Sequence, residues 1–202
     1  MSKPVLDFWF DFASVYSFLT SVRIAPLAAS AGVELRWRPF LLGPIFQSQG
    51  LSDSPFNLFP AKGRHMIRDV QRTAEEIGIA FRWPDQFPQS AVPASRIALV
   101  GLDEGWGEDF CRAVFRAEYS DNRLISDPAV LADLLTHLKI PVDATFAKAQ
   151  SDDIKLKLRE QTAEAQRRGF FGAPTFTTAS GEMFWGNDRL EQALRWALRE
   201  DA

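Results

Sequence analysis

Val5-Leu6-Asp7-Phe8-Trp9-Phe10-Asp11-Phe12-Ala13-Ser14-Val15-Tyr16-Ser17-Phe18-Leu19 is the stretch on which the fold turns. Val5 to Phe10 alternates and is rich in aromatic and β-branched residues, which predicts a buried strand. Asp11 to Ala13 then make a turn, and a helical pattern begins at Ser14. A strand-to-helix turn gathers free backbone N–H groups at the positive end of a helix dipole. Anions, thiolates among them, are stabilised at such a place. Here the chain offers the hydroxyl of Ser14, within Ser14-Val15-Tyr16-Ser17, and no sulfur. Thiol chemistry at this turn therefore needs a thiol from outside the protein.

Working outward, the helix that starts at Ser14 runs to Ala31 as one helix kinked at Pro26 and ends at Gly32. Val33 to Arg38 alternates as a second strand closed by Pro39, giving a βαβ unit. Leu41 to Pro60, rich in Gly, Pro, Ser and Gln, reads as a loop. Helical signals dominate the next hundred or so residues: Ala61 to Ile77, Ala94 to Asp103, Glu108 to Tyr119, a start at Asp127-Pro128, and Ser151 to Arg168. Phe81 to Pro93, with three prolines, reads as irregular. Strand chemistry returns at Pro174 to Thr178 and Glu182 to Trp185, joined by Ala179-Ser180-Gly181 as a hairpin. Asn187 is placed to cap a last helix, Asp188 to Glu200. The organisation is an α/β fold in which residues 1–45 and 169–202 form one domain and residues 46–168 a helical insertion.

Composition narrows the function classes. The 202 residues include 17 Phe and 6 Trp, enough for a packed core, and the net charge of -3 comes without a basic patch. Nucleic acid is therefore not an expected partner. No apolar run is long enough to cross a bilayer, and the start carries no signal-peptide pattern, so a cytoplasmic protein is expected. The single cysteine, Cys111, lies in a helical pattern and reads as a buried structural thiol. It excludes an internal disulfide, argues against a thiolate metal site, and rules out dithiol–disulfide oxidoreduction at the Ser14 turn.

Three places carry candidate chemistry, each with a plain structural alternative. Ser14 is either a helix cap or a hydrogen-bond donor to an anion. A serine nucleophile is disfavoured, since nothing pairs His65 or His137 with it. Phe171-Gly172-Ala173-Pro174-Thr175 is either an ordinary strand start or a cis-proline turn exposing the Ala173 backbone, and the residues leave the isomer open. Trp185-Gly186-Asn187-Asp188-Arg189 is a capped helix start whose free N–H groups also suit a carboxylate, with Asp188 able to accept from an ammonium.

Phe10 to Leu19 resembles the opening motif of the 2-hydroxychromene-2-carboxylate isomerases, which sit with the kappa-class glutathione transferases in the DsbA-like group of the thioredoxin superfamily. Trp37 to Gly43, Pro60 to Gly63 with Arg68 to Arg72, Phe171 to Thr175 and Trp185 to Leu190 resemble further signatures of that family, in the same order. The Ser14 tetrapeptide stands where a redox thioredoxin carries Cys-x-x-Cys. The resemblance implies a thioredoxin-like (DsbA-like) fold with a large all-helical insertion, glutathione as cofactor, a small aromatic carboxylate as substrate and a homodimer. It implies that Ser14 hydrogen-bonds the glutathione sulfur. Ala173, before Pro174, would pair with the cysteinyl backbone. Asn187, Asp188 and Arg189 would hold the γ-glutamyl end, Trp185 would line the pocket, and Lys62 would meet a glycyl or substrate carboxylate.

The chain departs from the pattern at Val15, where proline is common, at His65, where an aromatic is usual, and at Gln89-Ser90, where the family tends to have asparagine. The activity implied is glutathione-dependent cis–trans isomerisation. A kappa-like transferase and a non-enzymatic peptide-binding module are the alternatives.

Overall fold

The computed structural model describes residues 3–200. Strand β1 (Val5–Phe10) leads into helix α1 (Val15–Ala31) and strand β2 (Glu34–Pro39). Eight helices follow among the described residues: α2 (Leu42–Ser48), α3 (Pro55–Leu58), α4 (Pro60–Ile77), α5 (Val92–Glu104), α6 (Gly107–Tyr119), α7 (Pro128–His137), α8 (Val142–Ala149) and α9 (Asp152–Arg167). The chain then returns to the sheet as β3 (Thr175–Thr178) and β4 (Met183–Trp185). A 3-10 turn (Asn187–Arg189) and helix α10 (Leu190–Glu200) close it. No helix among the described residues is long and apolar enough to cross a membrane.

The four strands lie in the order β2-β1-β3-β4. β1 runs parallel to β2, with Phe8 opposite Trp37, and antiparallel to β3, with Trp9 opposite Thr175. β4 pairs antiparallel with β3, Trp185 opposite Thr175. This register decides where the site lies. The end of β1, the start of β3 and the end of β4 meet at one edge, so residues 11–14, 172–174 and 185 converge although about 160 residues of chain separate them.

Aromatic packing sets the frame beneath that edge. Phe8, Phe10, Phe12, Phe115, Tyr119 and Phe176 are fully buried, and the same apolar cluster reaches α1, α5, α6, α7 and α10. The rings of Phe12 and Phe115 lie 4.9 Å apart, and those of Phe18 and Tyr119 5.2 Å apart. The Tyr119 hydroxyl donates to the Phe12 carbonyl at 2.8 Å, fixing the backbone just before Ser14. Burial of each such ring contributes roughly 1.5–3 kcal/mol. Cys111 is fully buried on α6, and burial pushes its thiol well above the ordinary range, as suits a packing residue.

The expected Leu41–Pro60 loop is not continuous, since α2 and α3 lie within it. Pro44 falls in the first turn of α2 and Pro55 opens α3. In a helix's first turn the missing proline N–H has no partner to lose.

Candidate functional site

The turn between β1 and α1 is held by a carboxylate and a hydroxyl. Asp11 accepts from the Ala13 N–H at 2.9 Å and from the Leu42 N–H at 2.7 Å, so it ties the turn to the start of α2. The Ser14 N–H donates to the Asp11 carbonyl at 3.0 Å. Ser14 sits in extended conformation at the N-cap, and its Oγ accepts from the Ser17 N–H at 3.2 Å. The same hydroxyl donates to the Ala173 carbonyl at 2.9 Å, 159 residues away. Ser14 is thus a cap and also a link across the fold, 7% exposed. The Val15 and Tyr16 amides have no acceptor among the described residues, as expected for the first turn of a helix.

The Ala173–Pro174 bond is cis, and Ala173 is 9% exposed. The Thr175 hydroxyl donates to the Gly172 carbonyl at 2.9 Å and steadies the turn. A Cβ on Gly172 would come within 2.3 Å of the Trp185 indole nitrogen, so only glycine lets that indole lie over the segment. Trp185 is half exposed and packs edge-on to Phe171, itself 44% exposed, at 4.8 Å.

These groups open onto a cleft of about 870 Å³, lined mostly by apolar side chains. Phe46, Phe56, Met66, Phe87 and Val92 supply the apolar wall from the helical side. Lys62 and His65, one turn apart on α4, are the basic groups at its lining, and Tyr16 and Asp11 the other titratable ones. The Lys62 ammonium lies 4.8 Å from the centre of the Phe59 ring. The Tyr16 hydroxyl donates to Asp69 at 3.0 Å. Burial and that carboxylate push its phenol well above its ordinary value, so Tyr16 is a neutral donor.

Of the residues singled out from sequence, Ser14, Ala173, Trp185 and Lys62 line the cleft together. Pro174 lies behind Ala173 and its carbonyl accepts from the Gly186 N–H at 3.0 Å. Asn187 differs from expectation. It is buried, and its side-chain oxygen accepts from Thr20 at 3.1 Å and Arg23 at 3.3 Å on α1, so it joins two helices and does not cap one. Asp188 and Arg189 are exposed, pair with each other at 3.2 Å and stand outside the cleft lining. Gln89 is not a free polar group either. Its amide donates to the Arg123 carbonyl at 3.2 Å and accepts from the Ile125 N–H at 2.7 Å.

Asp11 is the site residue whose role the sequence did not disclose. It is buried, and burial outweighs its two backbone bonds to raise its pKa to about 6. The buried Glu118 of α6 stands near enough for the two charges to interact, and neither of its carboxyl oxygens has a hydrogen-bond partner among the described residues. Desolvation first, and Asp11 second, push Glu118 well above the ordinary carboxyl range.

A strand-helix-strand start, a cis proline beside the first helix and a run of helices between β2 and β3 define a thioredoxin-like class. The chain matches the DSBA-like thioredoxin domain over residues 5–196, and it belongs to that family. Within the family it is 26% identical to a 2-hydroxychromene-2-carboxylate isomerase of Sphingobium xenophagum, over 95% of this chain and 96% of that protein. It is equally 26% identical to glutathione S-transferase kappa 2 of Caenorhabditis elegans, over 95% of this chain and 90% of that one. A solved 2-hydroxychromene-2-carboxylate isomerase superposes with a TM-score of 0.86 at 26% identity, covering 98% of this chain and 97% of the other.

Proposed function

We propose that the protein is a glutathione-dependent cis–trans isomerase acting on an aromatic, unsaturated 2-oxo acid of the 2-hydroxychromene-2-carboxylate type. The observation that carries this reading is the Ser14 hydroxyl, capping α1 and facing the Ala173 backbone, on an apolar cleft with Lys62 and His65 at its lining. The donor set fits a thiol: a hydroxyl, two amides without acceptors and a helix N-terminus, with no cysteine at the turn to compete. Bound glutathione would supply a nucleophilic thiolate, whose reversible addition to a conjugated double bond permits rotation and whose elimination restores it.

The residues divide the remaining work. Ser14 donates to the sulfur, and the start of α1 adds its dipole. Ala173 offers backbone N–H and C=O groups to the cysteinyl unit. Main-chain amides at Asn187 and Asp188, with the Asp188 carboxylate, suit the γ-glutamyl head. Arg189, paired with Asp188 at the surface, would border that head, and Trp185 lines the cleft over Gly172. The apolar wall of Phe46, Phe56 and Phe87 suits an aromatic ring and keeps water from it, and Lys62 suits a carboxylate.

Calorimetric titration with reduced glutathione tests the cofactor. Saturable binding with a Kd at or below ~1 mM is expected, and no detectable heat at several temperatures would sink the assignment. Ser14→Ala is expected to slow turnover about ten- to hundredfold, the worth of a hydrogen bond to a charged group, while glutathione affinity stays within a few-fold. Turnover unchanged in that variant would remove Ser14 from the chemistry. The matching likeness to kappa transferases favours a second reading, in which glutathione is consumed with an electrophile. Isomerisation consumes none, so the glutathione balance over a complete reaction separates the two.

A further inference from the structure

The geometry points to His65 as a catalytic residue for a step the thiol cannot perform: the opening of a cyclic hemiketal substrate, by carrying a proton from its hydroxyl to its ring oxygen. That role rests on the isomerase reading above and fixes the form in which the substrate binds, an aromatic hemiketal carboxylate with its ring still closed.

A 2-hydroxychromene-2-carboxylate carries its hydroxyl, its carboxylate and its ring oxygen on one carbon. The ring also holds the neighbouring double bond cis, so rotation is blocked until the ring opens. Opening breaks the bond from that carbon to the ring oxygen and turns the hydroxyl into a ketone. The hydroxyl loses a proton and the phenolic oxygen gains one, with no change in oxidation state. A group that takes a proton and then gives it back is needed beside these two oxygens.

The cleft lining holds four titratable side chains, Asp11, Tyr16, Lys62 and His65. Three are committed. Asp11 is buried, with its oxygens on the Ala13 and Leu42 amides. Tyr16 gives its proton to Asp69. The Lys62 ammonium only donates. His65 is exposed, and its charged neighbours on α4 are engaged elsewhere, Asp69 with Tyr16 and Arg72, and Arg68 with Glu75. The imidazole is left without a partner among the described residues, and imidazole both takes and gives a proton near neutral pH. The other histidine, His137, lies on α7 with its Nδ1 2.8 Å from the Asp133 carbonyl, outside the cleft lining.

The spacing suits the task. Lys62 and His65 are one turn apart on one face of α4, which sets their Cβ atoms about 5–6 Å apart. A carboxylate on Lys62 therefore brings the hydroxyl and ring oxygen, both on the adjoining carbon, within reach of His65. Gly63, between the two residues, seats this face. A Cβ there would lie 2.6 Å from the Phe56 carbonyl, so α4 rests directly on α3. The Phe56 and Phe87 rings, 5.0 Å apart, offer the substrate's aromatic ring a wall in the same cleft. In the step itself, His65 takes the hydroxyl proton as the carbon–oxygen bond breaks. The O–H electron pair becomes the second bond of the ketone, and the pair of the broken bond stays on the departing oxygen. The imidazolium then returns the proton to that oxygen, and the opened chain is ready for thiolate addition.

The test uses two substrates with glutathione present: the ring-closed hemiketal, and cis-benzylidenepyruvate, which lacks the ortho hydroxyl and cannot close. His65→Ala puts a strong helix former at an exposed helical position, so the fold should persist. Its kcat/KM for the hemiketal, after subtraction of the spontaneous reaction, is expected to fall about a hundredfold, the low end of what a positioned acid–base group contributes. The open analogue is expected to isomerise at the wild-type rate. Imidazole added to the buffer is expected to restore part of the loss on the hemiketal. Equal loss on both substrates would make His65 a binding or structural residue and overturn the step, and so would unchanged turnover of the hemiketal. Should the wild type act on the hemiketal alone, restoration by imidazole supports the step and its absence overturns it. A wild type that isomerises neither substrate would remove the isomerase reading and this role together.

Discussion

Asp11 shows what burial does to a carboxylate that the fold cannot do without. Its oxygens accept the Ala13 and Leu42 amides, and so clamp the turn that presents Ser14. The groups facing it are carboxyl and phenol, Glu118 and Tyr119 of α6, and no cation compensates it among the described residues. Its pKa accordingly rises from 3.8 to about 6. A carboxyl raised on folding favours the folded state while protonated. That contribution is fully present below 3.8 and is lost as pH rises through 6, to the extent of about 3 kcal/mol at 1.4 kcal/mol per unit. Glu118 adds a slope of the same sign, and because Asp11 is one cause of its rise, Asp11→Asn relaxes part of that slope too, which widens the difference between the two proteins in the same direction. The wild type should therefore lose stability relative to Asp11→Asn between pH 4 and pH 7. Urea denaturation of both proteins at intervals across that range measures it, and parallel curves would refute the raised pKa. At this scale Ser14, Ala173, Lys62 and Trp185, which line the cleft together, could be singled out as candidates because each stands in a motif. Asp11 stood in one too, but its partners at 42 and 118 are distant in the chain, so nothing local disclosed its charge state.

Elements follow the same division between local and distant causes. Helices with a local stop or start were legible. Gly32 and Gly78 end α1 and α4 in left-handed conformation, and Asp127 and Ser151 cap α7 and α9 through their side chains. The short α2 and α3 were not legible, since neither has a side-chain cap and each contains a proline that reads as a breaker until its place in the first turn is known. Asn187 misled for the opposite reason. Its type and position suit a cap, but tertiary contact with Thr20 and Arg23 claims its carbonyl. Thr20 is fully buried, so Asn187→Ala leaves its hydroxyl without an acceptor. A loss of about 1–3 kcal/mol is expected from an orphaned buried group, read as a lower denaturation midpoint. The ion pair of Arg23 with Glu191 still joins α1 to α10 in that variant, so the fold should persist and the cost remain a local one. Wild-type stability in Asn187→Ala would show that the helix junction does not depend on this residue.

On the scale of the whole molecule, the cleft is a product of topology. The register that sets Trp9 against Thr175 brings the Ser14 turn to Ala173, and α4 with the 87–92 segment closes the far side. The strands were legible from alternation. Their pairing across some 160 residues was not, and only the order of motifs along the chain indicated it. The sheet side of the cleft is thus built from backbone, the Ser14 hydroxyl and the Phe171–Trp185 pair, and the helical side from further aromatic rings with Lys62 and His65 one helical turn apart. This asymmetry suits a division in which the sheet edge holds the thiol and the helical side reads an aromatic anion. Lys62 lies on the helical side, against the Phe59 ring, so its charge is expected to serve the substrate carboxylate more than the cofactor. Replacing it with methionine keeps the apolar stem and removes the charge. For an anionic aromatic substrate, Lys62→Met should raise KM about two- to fivefold, the worth of a partly screened ion pair, with kcat nearly unchanged, as follows when ground state and transition state lose the same contact. Glutathione affinity measured by calorimetry should not move. A Kd for glutathione that rises while KM holds would assign Lys62 to the glycyl carboxylate instead, and the helical wall would then select its substrate by aromatic packing alone.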